Sequence, residues 1–220
     1  MDYVVIDLEM CNVPKHYRTN NYKYATEIIQ IGAVLMDQDY KRVATISQYV
    51  HPEHGVIDTF IVNLTGIQNN QIKHAPLLRE VLQRMIEWIG DREYQVIAWS
   101  DSDYCQLMHE ITSKGLENEQ LADFMDEGRW IDYQDVFSKR FDFTRAIGLE
   151  EALMLCDIDS EGRFHNGLDD AINTAKLIEK LERNPDYQVH NYEKDTDCHS
   201  EPLSVSMGAI FANLGINCKV

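Results

Sequence analysis

The chain opens on an apolar run from Tyr3 to Leu8 that predicts a first strand, and within its VVIDLEM stretch two acids, Asp7 and Glu9, fall two residues apart. Side chains alternate along a strand, so both carboxylates point to one face, about 6 to 7 Å apart. An unpaired buried charge is costly, so this pair either faces solvent or has a cation between its members. A polar loop, KHYRTNNYKY from Lys15 to Tyr24, follows. Two further strands are predicted, EIIQIGAVLMD from Glu27 and VATISQYVHP from Val43, with DQDYK as the hairpin turn between them.

The period then changes. In LLREVLQRMIEWI the apolar positions Leu78, Val81, Leu82, Met85, Ile86 and Ile89 make the one-sided stripe of an amphipathic helix. YQVIAW reads as a fourth strand, and SDSDYCQLMHEI as a helix headed by Ser and Asp. WIDYQDVF reads as a short strand passing into a helix, LEEALMLC as a helix, and HNGLDDAINTAKLIEKL as the closing helix. This order predicts an α/β fold with a mixed sheet, a domain over 1–184 and an acidic linker and tail over 185–220. The apolar segment LSVSMGAIFANLGINCKV inside that tail is not resolved between strand and helix by its pattern.

Composition narrows the class. With 220 residues, 44% of them hydrophobic, the chain can bury one substantial core. No apolar run is long enough to span a bilayer, and no basic region precedes an apolar run at the amino terminus, so neither a membrane nor secretion is expected. Five scattered cysteines without a CxxC pair fit free thiols in a reducing compartment, the cytoplasm being the expectation. A net charge of −17 argues against tight binding to long duplexes, whose phosphates call for Lys and Arg. A site that grips a few nucleotides through divalent metal remains compatible with it.

Where first and fourth strands lie side by side, their carboxyl ends converge, as sites in open α/β sheets do. That brings Asp7 and Glu9 toward Asp101 and Asp103. In RFHNGLDDA, Asn166 can cap the last helix with Asp169 in a capping box, leaving Asp170 free, with His165 just ahead. Taken singly, each has an ordinary role: a solvent-facing DxE, a helix cap at Asp101 or Asp103, a surface histidine, acids favouring a helix dipole. Taken together, hard oxygen ligands suit Mg²⁺ or Mn²⁺, and a pair of such ions suits phosphodiester hydrolysis with a histidine as base.

VVIDLEM, WSDSDYCQL and HNGLDDA in this order resemble the DEDDh 3′–5′ exonucleases, which have an RNase H-like fold of a mixed five-stranded sheet flanked by helices. LTGIQNNQI, AWSDSDYCQL and GRFHNGLDDAINTAKLI are similar to the Eri-like and KapD-like branch, over about Met1 to Leu181. The resemblance implies Asp7, Glu9, Asp103 and Asp170 as ligands of two Mg²⁺ or Mn²⁺ ions, with Asp101 the runner-up to Asp103, and His165 as general base. It implies release of nucleoside monophosphates from the 3′ end of single-stranded nucleic acid, RNA favoured over DNA. Met10 and Cys11 would approach the terminal sugar through their backbone and Phe60 would stack on the terminal base, although a core position suits Phe60 slightly better. Lys15, Arg18 and Lys23, interleaved with Tyr17, Tyr22 and Tyr24, suit a single-strand path that Arg129, Lys139, Arg140 and Arg145 would extend, and suit a solvated loop equally well. The rival readings are a DNA exonuclease of the proofreading type and a regulatory protein that keeps the fold.

Overall fold

The structure, a computed structural model, describes residues 1–20 and 22–189. Strands β1 (Asp2–Asn12), β2 (Thr26–Met36), β3 (Arg42–Tyr49), β4 (Tyr94–Ala98) and β5 (Trp130–Asp132) form one mixed sheet in the order β3-β2-β1-β4-β5. β1, β2 and β3 form the antiparallel meander that the tight Asp37–Lys41 turn predicts, while β4 and β5 join in parallel after helical crossovers. The helices are α1 (Thr59–Thr65), α2 (Asn69–Ile72), α3 (Leu78–Ile89), α4 (Asp101–Ser113), α5 (Glu119–Phe124), α6 (Tyr133–Arg140), α7 (Leu149–Leu155) and α8 (Gly167–Glu182).

Strand alternation sorts β1 between two cores. Val4, Ile6, Leu8 and Met10 pack on one side of the sheet with α3 residues Leu78, Val81, Leu82 and Met85, while Val5 packs on the other with α8 residues Ala171, Ala175 and Ile178. Asp7 and Glu9 share Val5's parity and so turn toward the start of α8. That helix closes tightly on the sheet: a Cβ at Gly32 would lie 2.1 Å from the Gly167 carbonyl carbon, and one at Gly167 would lie 3.0 Å from the Asp7 oxygen. Two glycines facing each other make this approach possible. Gly167 N–H donates to Gln30 Oε1 at 3.1 Å, which fixes the helix start beside β2.

One buried charge cluster was not foreseen. Lys114 Nζ lies 2.6 Å from Glu27 Oε1 and 2.9 Å from Glu110 Oε2, and both glutamate side chains are fully buried. Glu27 also accepts N–H bonds from Glu53, His54 and Gly55, and Glu110 accepts that of Ile28 at 2.6 Å. Burial pulls the Glu27 carboxyl up, but Lys114 and these backbone donors outweigh it and its pKa is lowered. At Glu110 burial wins and the pKa is raised. The cluster seats α4 against β2 and the 53–55 loop.

Tyr187 and Val189 pack on the α8 side of the core, past Asn184. The rest of the expected tail, 190–220, lies outside the described residues. Among the described residues, no helix is long and apolar enough to cross a membrane.

Candidate active site

β1 outruns its parallel neighbour: the last β1–β4 pair is Ile6 with Ala98, after which the chain turns into α4. Leu8 therefore has no strand partner on that edge, and its N–H donates instead to Asp103 Oδ1 at 3.0 Å. Asp103, 6% exposed, is thus drawn into the sheet edge beside Asp7, whereas Asp101, at the first helical position, stays exposed.

The third contributor is the loop before α8. Asn173, Asp169 and Asp170 each hold an alternate residue of it. Asn173 bonds the Glu161 backbone both ways, Asp169 Oδ2 accepts the Arg163 N–H at 2.9 Å, and Asp170 Oδ2 accepts the His165 N–H at 2.7 Å. Asn166 caps α8 as expected, its Oδ1 accepting from Leu168 and Asp169. The Asp169 carboxylate is spent on Arg163, so the expected capping box is not completed.

Asp7, Glu9, Asp103 and Asp170 consequently come together past the carboxyl end of β4, beside the middle of β1. Ligand atoms of Glu9, His165 and Asp170 lie within 4.8 Å of one another. Glu9, 2% exposed, and Asp170, 7% exposed, each keep one buried carboxylate oxygen, Oε2 and Oδ1, without a hydrogen bond. Burial first, and then Asp103, Asp170 and Glu9, hold the Asp7 carboxyl well above the usual carboxylate range. Glu9 is raised by burial and by Asp170 and Asp103, and burial pushes Asp103 and Asp170 up to about 7. Unpaired buried oxygens on mutually repelling acids are the donor set a hard divalent cation satisfies. Burial holds the His165 imidazole below its usual value, so it is neutral near pH 7 and able to accept a proton.

The shifts fix a sign. Asp103 and Asp170 bind protons more tightly folded than in an unfolded chain near 3.9, so their protonation stabilises the metal-free fold, and this stability is lost as pH rises through about 7. Melting temperature in EDTA is expected to fall between pH 6 and 8.5, and added Mn²⁺ to restore more at pH 8.5 than at pH 6. A melting temperature flat over that window, with or without Mn²⁺, would contradict the assignment.

Other expected residues lie as follows. Met10 and Cys11 are buried in separate cores, 4% and 0% exposed with side chain and main chain taken together. Phe60, for which a core position suited better, is instead 51% exposed on α1. Tyr22 is fully buried with its hydroxyl on the Thr26 carbonyl, and Tyr24 stacks on His109, which removes Tyr22 from a single-strand path. Arg129 pairs with Asp123, Lys139 with Asp135 and Arg145 with Glu151, while Arg140 bonds the carbonyls at the far end of α8. Sixteen helical residues put that end about 24 Å from the site, too far to extend a path from it. Gln30, Gly32 and Arg163 were missed. The strand pattern alone marks Gln30 as a polar residue and Gly32 as a side-chain gap inside an apolar run.

Comparison with known proteins supplies the deciding observation. The RNase_T family profile, described as Exonuclease, matches residues 4–178. The chain belongs to the RNase_T exonuclease family. Among curated relatives of this RNase_T chain, human ERI1 exoribonuclease 2 is 31% identical over 210 residues, covering 83% of this chain and 28% of that protein. Rat 3′-5′ exoribonuclease 1 is 26% identical over 174 residues, covering 74% and 48%. The chain thus spans about half or less of the length of these relatives. The nuclease domain of 3′hExo, a DEDDh family member bound to rAMP, superposes with a TM-score of 0.68 at 22% identity, covering 86% of this chain and 96% of that one. A full-length 3′-exonuclease gives 0.71 at 22% identity, covering 84% and 61%. The fold is RNase H-like, as the motif order implied.

Proposed function

We propose that the chain is a divalent-metal-dependent 3′–5′ exonuclease that takes nucleoside monophosphates from single-stranded RNA or short oligonucleotides. The observation that carries this reading is the meeting of Asp7, Glu9, Asp103 and Asp170 around buried, unpaired carboxylate oxygens beside a neutral histidine. Those four carboxylates would hold two Mg²⁺ or Mn²⁺ ions. Bound there, the ions would stabilise charge on the phosphate oxygens and acidify the attacking water. His165 takes the water's proton on a ring nitrogen, since burial keeps its imidazole neutral. Phe60, exposed on α1, offers a face for the terminal base. RNA is favoured over DNA because human ERI1 exoribonuclease 2 and rat 3′-5′ exoribonuclease 1 are named exoribonucleases. Cytoplasmic placement is supported by the five scattered cysteines, which include no CxxC pair.

A gel of 3′-labelled and 5′-labelled oligomers, RNA and DNA, with Mg²⁺, Mn²⁺ or EDTA tests the reading. The 3′ label is expected to leave at once as mononucleotide, the 5′ label to shorten as a ladder, RNA to be consumed faster, and EDTA to stop both. Loss of the 5′ label as mononucleotide from the start of the reaction, or unchanged rates in EDTA, would overturn it.

A further inference from the structure

His165 stands at φ 61°, a left-handed conformation uncommon outside glycine, and among the described residues its ring makes no hydrogen bond. What places the imidazole is therefore the backbone of its loop. Asp170 and Asp169 fix the N–H groups of His165 and Arg163 from the α8 side. On the other side Arg163 ties the loop to α1. Arg163 Nη2 donates to the Asn63 carbonyl at 2.6 Å and the Leu64 carbonyl at 3.1 Å.

These carbonyls belong to the last turn of α1, where intrahelical donors run out and the helix dipole is negative, so a guanidinium suits them on two counts. The contact depends on Gly66, the α1 cap at φ 77°, because a Cβ there would lie 2.4 Å from Arg163 Nη1. The helix so tethered also carries the exposed Phe60. One side chain joins the element offered to the terminal base with the loop that carries the proton acceptor.

We propose that Arg163 is a positioning residue that acts through His165, tying the base to α1 and thereby to the bound 3′ end; the inference rests on His165 being the general base. Two features favour a tether over a role in holding the fold together: Arg163 is exposed, and the loop backbone is already secured from α8 at residues 161, 163 and 165. Both bonds come from one guanidinium nitrogen, Nη2, at the end of a long planar group whose reach and orientation the shorter lysine ammonium does not reproduce.

The test is a double-mutant cycle on cleavage of a 5′-labelled RNA oligomer in Mn²⁺, with melting temperatures taken alongside. Arg163→Ala is expected to lower kcat about tenfold with KM within about twofold, since misplacing a reacting group by a fraction of its reach costs rate before affinity. In the His165→Ala background the same change is expected to lower kcat less than about twofold, because there is no base left to misplace. Arg163→Lys, which keeps the charge and loses the reach and planar orientation of the guanidinium, is expected to remain at least about threefold below the wild type. Equal losses in both backgrounds, a loss carried by KM, or full recovery with Lys would overturn the proposal. A His165→Ala protein as fast as the wild type would instead overturn the assignment of the base, and this inference with it.

Discussion

Replacing Asp7 with asparagine is expected to abolish most cleavage and, at the same time, to raise the melting temperature of the metal-free protein. The two effects have one cause. Asp7 lies between Asp103, Asp170 and Glu9, and burial together with those three charges makes its ionised form unfavourable in the absence of a cation. Removing its charge relieves the repulsion, so the fold gains. The same change removes a carboxylate from the set that would hold the ions, and a loss of about 4 kcal/mol of electrostatic stabilisation corresponds to about a 10³-fold slower step. Asp103→Asn is expected to behave alike, though its stability gain is smaller because Asp103 also accepts the Leu8 N–H, a bond an amide oxygen can keep. Asp101→Asn, exposed at the head of α4, is expected to stay within about threefold of the wild-type rate, as surface changes of this kind do. Single-turnover rates in Mn²⁺ and melting curves in EDTA read both quantities. An Asp7→Asn protein that keeps its rate, or that is destabilised without metal, would remove the argument that the cluster is strained for the sake of a cation.

That opposition between stability and activity also explains why the site was legible from sequence while much around it was not. Acids inside an apolar strand break the pattern, so Asp7 and Glu9 announce themselves, and the capping sequence ahead of α8 sets His165 and Asp170 at a fixed spacing. The strands and the amphipathic α3 follow from periodicity for the same reason: one face of each must be buried. Short α1, α2 and α5 carry too few turns to show a stripe, and so Phe60 looked like a core residue inside FIVNL. Glu110 and Lys114, four apart on α4, look like an ordinary surface pair. Nothing in their spacing reveals that Glu27, 83 positions before Glu110, completes a buried cluster around that lysine. Long-range pairing of charges leaves no local signature. The aromatic and basic 15–24 loop misled in the opposite sense, since Tyr22 turns inward and only its neighbours show how.

The Lys114 cluster carries the second large prediction. Lys114→Met leaves Glu27 and Glu110 buried without their cation, and breaking a buried pair by removing one partner costs about 3 to 5 kcal/mol. Against a total of about 5 to 15 kcal/mol, that is a large share of the stability. The pH dependence also changes sign. In the wild type the Glu27 pKa is lowered, so its contribution is present above the ordinary glutamate value and is lost as pH falls through the folded one. Without Lys114 the attraction that offsets burial is gone, both carboxylates favour their protonated forms, and stability is lost as pH rises. Urea denaturation is therefore expected to show the widest gap between variant and wild type near pH 8 and a narrower one near pH 5. Neutralising the acids as well, with Glu27→Gln and Glu110→Gln, is expected to recover part of the loss, because amides cost less to bury than unpaired charges. A gap that stays constant with pH, or below about 1 kcal/mol, would mean that water or another group replaces the ammonium. The consequence reaches the end of α4 that carries Asp103. Asp103, Gln106, Glu110 and Lys114 follow one another at about one-turn spacing, and each bonds to β1, to β2 or to a neighbour in this row. Losing the last of them loosens the seam that holds the first, so cleavage by Lys114→Met is expected to fall as well, by less than it does in Asp7→Asn.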